Sequence, residues 1–213
     1  MNERQLHLQK VEAELKWTVE KLDKVLLGTV EALAVATEMR DPYTAGHARR
    51  VAHLACSIAE EMRFRDECVD GIWVASLLHD IGKVAAPSEI LSKPGTLTEI
   101  ELSLIKTHPK IGHEILKGID FPWPVADAVL QHHERLNGTG YPLGLSDKDI
   151  ILEAKVIAVA DVVEAMSSHR PYRAALGIDK ALEEITANKS VLYDGDMVDA
   201  CVRLFRDEGF KFN

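Results

Sequence analysis

The chain has 213 residues, of which 46% are hydrophobic and 28% are charged, a balance typical of one globular domain. Its formal net charge is −9 and its Lys and Arg residues form no stripe, which argues against a duplex nucleic-acid partner. No apolar run approaches the roughly 18 residues of a membrane span. The first ten residues lack the apolar core of a secretory signal, so we expect a cytoplasmic protein.

The first 39 residues have the pattern of one long helix. Residues 1–28 are predicted to be a signalling or dimerisation helix that leads out of a sensor or receiver domain and joins two copies of the chain. The alternative is a helix that packs on its own domain, residues 29–213. The prediction depends on residues that occupy the a and d positions of a coiled coil, namely Leu8, Val11, Leu15, Thr18, Leu22 and Val25.

The rest of the chain is predicted to be an all-α bundle. Asp41 and Pro42 predict the N-cap and the first residue of a second helix, which ends at about Arg63. Asp66 predicts the cap of a third helix. A capping box predicts a short helix after Thr98, and helical spacing predicts further helices at 109–117, 123–135, 149–167, 179–188 and 196–207.

Histidines and aspartates recur near the ends of these predicted helices. Imidazole and carboxylate are ligands that suit Fe, Mn, Ni, Co or Zn. A buried cluster of such groups would be costly without a metal ion or full pairing. Their order therefore predicts a metal centre, formed by His47, the pair His79-Asp80, His108, the pair His132-His133, and Asp161.

The motifs around these residues form one ordered set. They are DPYTAGH at 41–47, LHDIGKV at 78–84, HP at 108–109, HHERLNGTGYP at 132–142, VADVVEAM at 159–166 and RPYR at 170–173. Over residues 29–205 this set resembles the HD-GYP family. The resemblance implies an HD-type helical bundle and a phosphodiesterase that hydrolyses cyclic di-GMP to linear pGpG or GMP with a metal-activated hydroxide.

The resemblance also implies a role for individual residues. Lys83 and Asp80 would be catalytic, and Lys83 would also contact the phosphate. Tyr141 would stack on a base, while Arg170 and Arg173 would bind the second phosphate or a guanine edge. For each of these side chains except Asp80, a structural role is the alternative. Two divalent ions are expected, with iron as the first candidate and Mn, Ni, Co or Zn as the alternatives. Asp80 would bridge the two ions. The implied ligands are His47, His79, Asp80, His108, His132, His133 and Asp161.

Four positions depart from the family pattern. Tyr43 stands where some relatives carry a glutamate that helps hold a third metal, so we expect two ions rather than three. Asn137, Glu164 and His169 stand where aspartate is common. None of these three is a predicted ligand, but each would affect the loop, the surroundings of the ligands or the substrate preference.

Three functions stay open at this point. The first is hydrolysis of cyclic di-GMP, with the hybrid cyclic GMP–AMP as a close variant. The second is a signalling or docking module that keeps its metals for stability and binds a partner such as a diguanylate cyclase. The third is a general nucleotide phosphohydrolase.

Overall fold

A computed structural model describes residues 3–40, 45–168 and 175–212, and these residues form no β-strand. The predicted all-α fold class is therefore confirmed. Tyr43, His169, Arg170, Arg173 and the predicted Asp41-Pro42 cap lie outside the described residues. The helices are α1 (Glu3–Glu38), α2 (His47–Glu61), α3 (Asp66–Leu78), α4 (Ser88–Leu91), α5 (Glu99–Ile105), α6 (His108–Leu116), α7 (Val125–Gln131), α8 (Leu152–Ser167), α9 (Ile178–Ala187) and α10 (Gly195–Arg206), with short 3-10 turns at Ile81–Ala85 and Asp147–Asp149.

The core lies where α2 packs against both α3 and α8. Its fully buried side chains include Leu54, Ile58, Ile72 and Ile157. Helices α9 and α10 pack on α8, while α6 and α7 pack on each other, and α7 also contacts α3. This arrangement brings the C-terminal ends of α3 and α7 close to the N-terminal ends of α2 and α6, where the predicted ligands lie.

The predicted long N-terminal helix is confirmed as α1. Only its last third packs on the bundle, through Val30, Ala34 and Thr37, which lie at helical spacing on one face. Upstream, apolar side chains such as Leu15 and Leu22 are more than half exposed. Division of the chain at residue 28 stays a prediction. No helix within the described residues is both long and apolar enough to cross a membrane.

Several predicted helix bounds differ from those of the structure, including that of α8, which begins at Leu152 rather than at residue 149. The second helix begins at His47 rather than near residue 42, because Gly46 adopts a left-handed φ of 72°, which cannot continue a helix. Arg65 is the N-cap of α3, and Asp66 is its first residue. Helix α7 ends at Gln131, well before residue 135. The capping box at Thr98 is confirmed.

Candidate metal centre

The seven predicted ligands converge from five parts of the fold. Each lies at or beside a helix end, except the aspartate on α8. Two groups have ligand atoms within 4.8 Å of one another: the first is His47, His79 and Asp80, and the second is His108, His132 and His133. Asp161 contacts the first group, with its Oδ1 3.3 Å from His47 Nε2 and 3.9 Å from His79 Nε2.

Three of the histidines are held by the same local contact. In each, ring Nδ1 lies 2.6 to 2.8 Å from a carbonyl three residues earlier, near the C-terminal end of a helix. The last carbonyls of a helix have no donor within it. Because a carbonyl only accepts, Nδ1 carries the hydrogen and the lone pair of Nε2 stays available. The pairs are His79 with Ser76, His108 with Ile105, and His132 with Val129.

His47 is oriented by a buried carboxylate instead. Its Nδ1 is hydrogen-bonded to Glu164, which is fully buried and also accepts hydrogen bonds from Arg50 Nε at 2.8 Å and Ser168 Oγ at 2.7 Å. A carboxylate on the second nitrogen is the usual support of a metal-binding histidine. This contact leaves His47 Nε2 facing Asp161.

Asp80 lies between the two groups. Its Oδ2 is 3.5 Å from His79 Nε2 and 3.8 Å from His47 Nε2, whereas its Oδ1 is 3.3 Å from His108 Nε2. The two carboxylate oxygens thus face different sets of imidazoles, an arrangement that suits a bridging ligand. Lys83 Nζ is 2.6 Å from Oδ2, so an ammonium lies at the edge of the cluster.

Charges in the first group stabilise one another. Burial alone would lower the pKa of His47, but its contacts with Asp161 and Glu164 outweigh burial and raise this pKa from 6.5 to about 9. Burial would raise the pKa of Asp80, yet Lys83 and the nearby imidazoles hold it well below the usual range. The pKa of Asp161 is likewise held low, with His47 as the main opposing group. The site therefore contains two ionised carboxylates.

The second group is instead kept neutral. Burial lowers the pKa of His108 from 6.5 to about 4. Burial and the neighbouring imidazoles hold the pKa values of His132 and His133 well below the usual range. The Nε2 atoms of His108 and His132 are only 3.2 Å apart, although Nδ1 carries the hydrogen in both rings. Two lone pairs facing each other are unfavourable, and a cation between them would remove the repulsion, so this donor set fits a metal ion.

A loop with the Gly-Tyr-Pro sequence borders the second group. The Tyr141 ring packs on His133 with a centroid separation of 4.7 Å, and Lys106 Nζ is 5.1 Å from the Tyr141 centroid. Tyr141 is half-buried. A Cβ on Gly140 would lie 2.4 Å from Glu134 Cα, so the close approach of the two backbone segments requires glycine there.

Comparison with known proteins agrees with the motifs. The model of the HD domain family matches residues 31–197. The chain belongs to the HD domain family. This match, together with relatives that are named cyclic di-GMP phosphodiesterases, confirms the HD-GYP resemblance.

Two relatives and one solved structure illustrate the similarity of this HD domain. The chain is 44% identical over 82% of its length to the cyclic di-GMP phosphodiesterase response regulator RpfG of Xanthomonas campestris pv. campestris, and spans 47% of that protein. It is 40% identical over 81% of its length to the 3'3'-cGAMP-specific phosphodiesterase 3 of Vibrio cholerae, and spans 37% of it. A cyclic GMP–AMP specific phosphodiesterase of V. cholerae (V-cGAP3) shares the fold, with a TM-score of 0.65, 17% identity and coverage of 84% of this chain and 48% of that one.

Three residues beside this centre were not predicted from the sequence to take part in it. Glu164 was noted only as a departure from aspartate, although its place three residues after Asp161 on α8 puts both on one helix face. Glu134 is 2% exposed and accepts hydrogen bonds from the backbone of the Gly-Tyr-Pro loop. No local sequence pattern points to Lys106, because the contact of its side chain with Tyr141 joins parts of the chain that are distant in sequence.

Proposed function

We propose that this HD domain hydrolyses cyclic di-GMP to linear pGpG, GMP or both. The convergence of seven imidazole and carboxylate ligands at one centre is the observation that carries the proposal. The 44% identity to a protein named a cyclic di-GMP phosphodiesterase supports the substrate class. The chain spans about half the length of that relative, so the proposal concerns the domain described here.

The proposed ligands form two half-sites that share a carboxylate. His47, His79 and Asp161 would hold one divalent ion, while His108, His132 and His133 would hold the other. Asp80 would contribute one oxygen to each, since its two oxygens face different groups. Iron is our first candidate, with Mn, Ni, Co and Zn as alternatives, because imidazole and carboxylate bind all of them. Such a pair of ions lowers the pKa of water and polarises a phosphodiester.

Side chains around the centre would bind and orient the substrate. The Lys83 ammonium lies beside Asp80, where it would interact with the phosphoryl oxygens. Tyr141 packs on His133 through one face, and the same ring is proposed to support a base of the substrate. Arg170 and Arg173, which lie outside the described residues, are proposed from the sequence alone to contact the second phosphate or a guanine edge.

A second candidate substrate is the hybrid cyclic GMP–AMP. The 40% identity to a V. cholerae protein named a 3'3'-cGAMP-specific phosphodiesterase favours it. Both substrates contain a phosphodiester that the same centre would bind, and they differ in one base. Competition between the two cyclic dinucleotides for the same enzyme would therefore identify the preferred one.

The first experiment combines metal analysis with substrate turnover. Protein purified without oxygen is expected to contain about two ions per chain, as a two-metal mechanism needs, and to convert cyclic di-GMP to pGpG or GMP with iron or manganese. Asp80→Ala should lose both metal and turnover, because it removes the shared ligand. The exposed Asp120→Ala, in the loop after α6, is the matched control and should keep both.

Three results would contradict the proposal. Full turnover by Asp80→Ala would exclude the shared-ligand mechanism. Metal-loaded protein that leaves every cyclic dinucleotide intact would favour a docking module, whose proposed partner is a diguanylate cyclase. Hydrolysis of mononucleotides instead would favour a general nucleotide phosphohydrolase.

A further inference from the structure

The last residue of α1 caps the first turn of α2. Glu38 Oε2 accepts a hydrogen bond from Gly46 N–H at 2.8 Å, and its Oε1 accepts one from Ala48 N–H at 2.9 Å. The first N–H groups of a helix have no acceptor within it, and the N-cap side chain usually provides one. Gly46 is the N-cap of α2 and has no side chain. Glu38 therefore supplies, from the preceding helix, the acceptor that α2 lacks.

This carboxylate suits its position in charge as well as in geometry. The N-terminal end of a helix carries a partial positive charge, which an anion stabilises. Glu38 also lines a cavity of about 10 Å³, roughly the space of one water molecule, together with His47, Asp80 and Lys83. The end of α1 thus forms part of the wall of the proposed metal centre.

The position of His47 depends on the turn that Glu38 holds. His47 is the first residue of α2, directly after the N-cap. Its Nε2 lies 3.3 Å from Asp161 and 3.8 Å from Asp80, so a small movement of this turn would change both separations. Neither of these two hydrogen bonds of the Glu38 carboxylate reaches the half-site of His108, which lies on α6. A change at Glu38 should therefore affect one half-site and spare the other.

Helix α1 packs on the bundle through α3 and the 3-10 turn Ile81–Ala85. Its buried face consists of Val30, Ala34 and Thr37, and an exposed ion pair of 3.1 Å joins Glu31 to Arg49 on α2. Glu38 makes the half-buried polar link nearest to the ligands. Displacement or rotation of α1 would pull directly on the first turn of α2.

We propose that Glu38 is a positioning residue for His47 and couples the position of α1 to metal binding in one half-site. The inference rests on the proposed two-metal centre and extends it to regulation. A partner or domain that moves α1 would change the affinity of the His47 half-site for its ion, and with it the fraction of chains that hold both ions.

The test measures Mn²⁺ affinity in two backgrounds that each keep one half-site. His132→Ala keeps the group that contains His47, whereas His79→Ala keeps the group that contains His108. Glu38→Gln removes the charge and places an amide N–H₂ against a backbone N–H. In the His132→Ala background it should weaken Mn²⁺ binding about 10-fold or more, as loss of a residue that supports a metal ligand does elsewhere. In the His79→Ala background it should change nothing.

Matched variants separate positioning from general damage. Glu31→Gln removes the exposed ion pair of the same helix and should leave Mn²⁺ affinity unchanged in both backgrounds. Thermal melting of each variant, with Glu38→Ala as a second substitution, establishes that the protein is folded. Equal losses in both backgrounds, or no loss in either, would overturn the role of Glu38. Wild-type protein that binds no ion would instead overturn the metal centre, a result obtained independently of the variants.

Discussion

Four histidines of the candidate centre, His47, His79, His108 and His132, have Nδ1 bound to an acceptor. In three of them the acceptor is a backbone carbonyl, and in His47 it is the Glu164 carboxylate. An imidazole that donates through Nδ1 presents a lone pair at Nε2, which is the form that binds a metal. In His79, His108 and His132 the fold thus selects this tautomer before any ion binds. His47, whose pKa is raised to about 9 by Asp161 and Glu164, must instead lose the proton on Nε2 when a metal ion binds.

Glu164→Gln is expected to weaken metal binding about 10- to 100-fold, the usual effect of removing such support. The amide has one donor and one acceptor group, whereas both His47 and Arg50 donate to the carboxylate. Either orientation of the amide would therefore place two donors against each other. A competition titration of Mn²⁺ against a coloured chelator measures the loss.

The control for Glu164 lies on the same helix. Glu153→Gln, in the first turn of α8, makes the same chemical change away from the centre and should leave Mn²⁺ affinity unchanged. Unchanged affinity in Glu164→Gln would show that the His47 ring keeps its orientation without the carboxylate.

The residues of the candidate centre could be predicted from the sequence, but the groups that support them could not. His79-Asp80 and His132-His133 are adjacent pairs within recognisable motifs, so local sequence revealed them. Glu164 meets His47 across a separation of 117 residues. A contact of that kind depends on how α2 and α8 pack, which no local pattern encodes.

At the scale of helices and loops, the centre is assembled from helix ends. Local spacing predicted most helices well, because apolar periodicity reports which face is buried. The start of α2 was mispredicted because local capping rules favoured Asp41 and Pro42. In the structure, the carboxylate that caps α2 belongs to Glu38 on the previous helix. The cap-like sequence Asp41-Pro42 lies between Glu38 and α2.

Glu134 holds the Gly-Tyr-Pro loop to the end of α7. Its carboxylate accepts hydrogen bonds from the backbone N–H groups of Leu143 at 2.7 Å and Leu145 at 2.9 Å. Glu134→Gln would set an amide donor against one of these N–H groups. We expect a loss of about 1–3 kcal/mol in the free energy of unfolding, the cost of an unpaired buried donor. Hydrogen exchange at the backbone amides of Leu143 and Leu145 should become faster.

An exposed contact in the same loop provides the comparison. Asn137→Ala removes the acceptor of the Thr139 N–H at 3.1 Å, but water can replace it. We expect little change in stability and no faster exchange at Leu143 or Leu145. Exchange that is as slow in Glu134→Gln as in the wild type would mean that the loop is held by its other contacts, such as Tyr141 on His133.

At the scale of the whole molecule, α1 extends beyond the bundle with apolar side chains exposed. Leu8, Leu15, Leu22 and Val25 are between 53% and 64% exposed and occupy a and d positions of the predicted coiled coil. An apolar face of this length is unfavourable in water, and pairing of two copies would bury it. Dimerisation through α1 therefore stays our prediction for the intact chain.

Leu15→Asp is expected to abolish this association. It places a carboxylate at the centre of the predicted seam, where two copies would bring two like charges together without water. Ala13→Asp introduces the same charge two residues earlier, at a position outside the seam, and is the matched control. Sedimentation equilibrium over a range of concentrations should show a dimer for the wild type and Ala13→Asp and a monomer for Leu15→Asp.

Metal content should be equal in all three proteins, because residue 15 is far from the packed end of α1. A wild-type chain that is monomeric at every concentration would contradict dimerisation and leave the apolar face of α1 for a different partner.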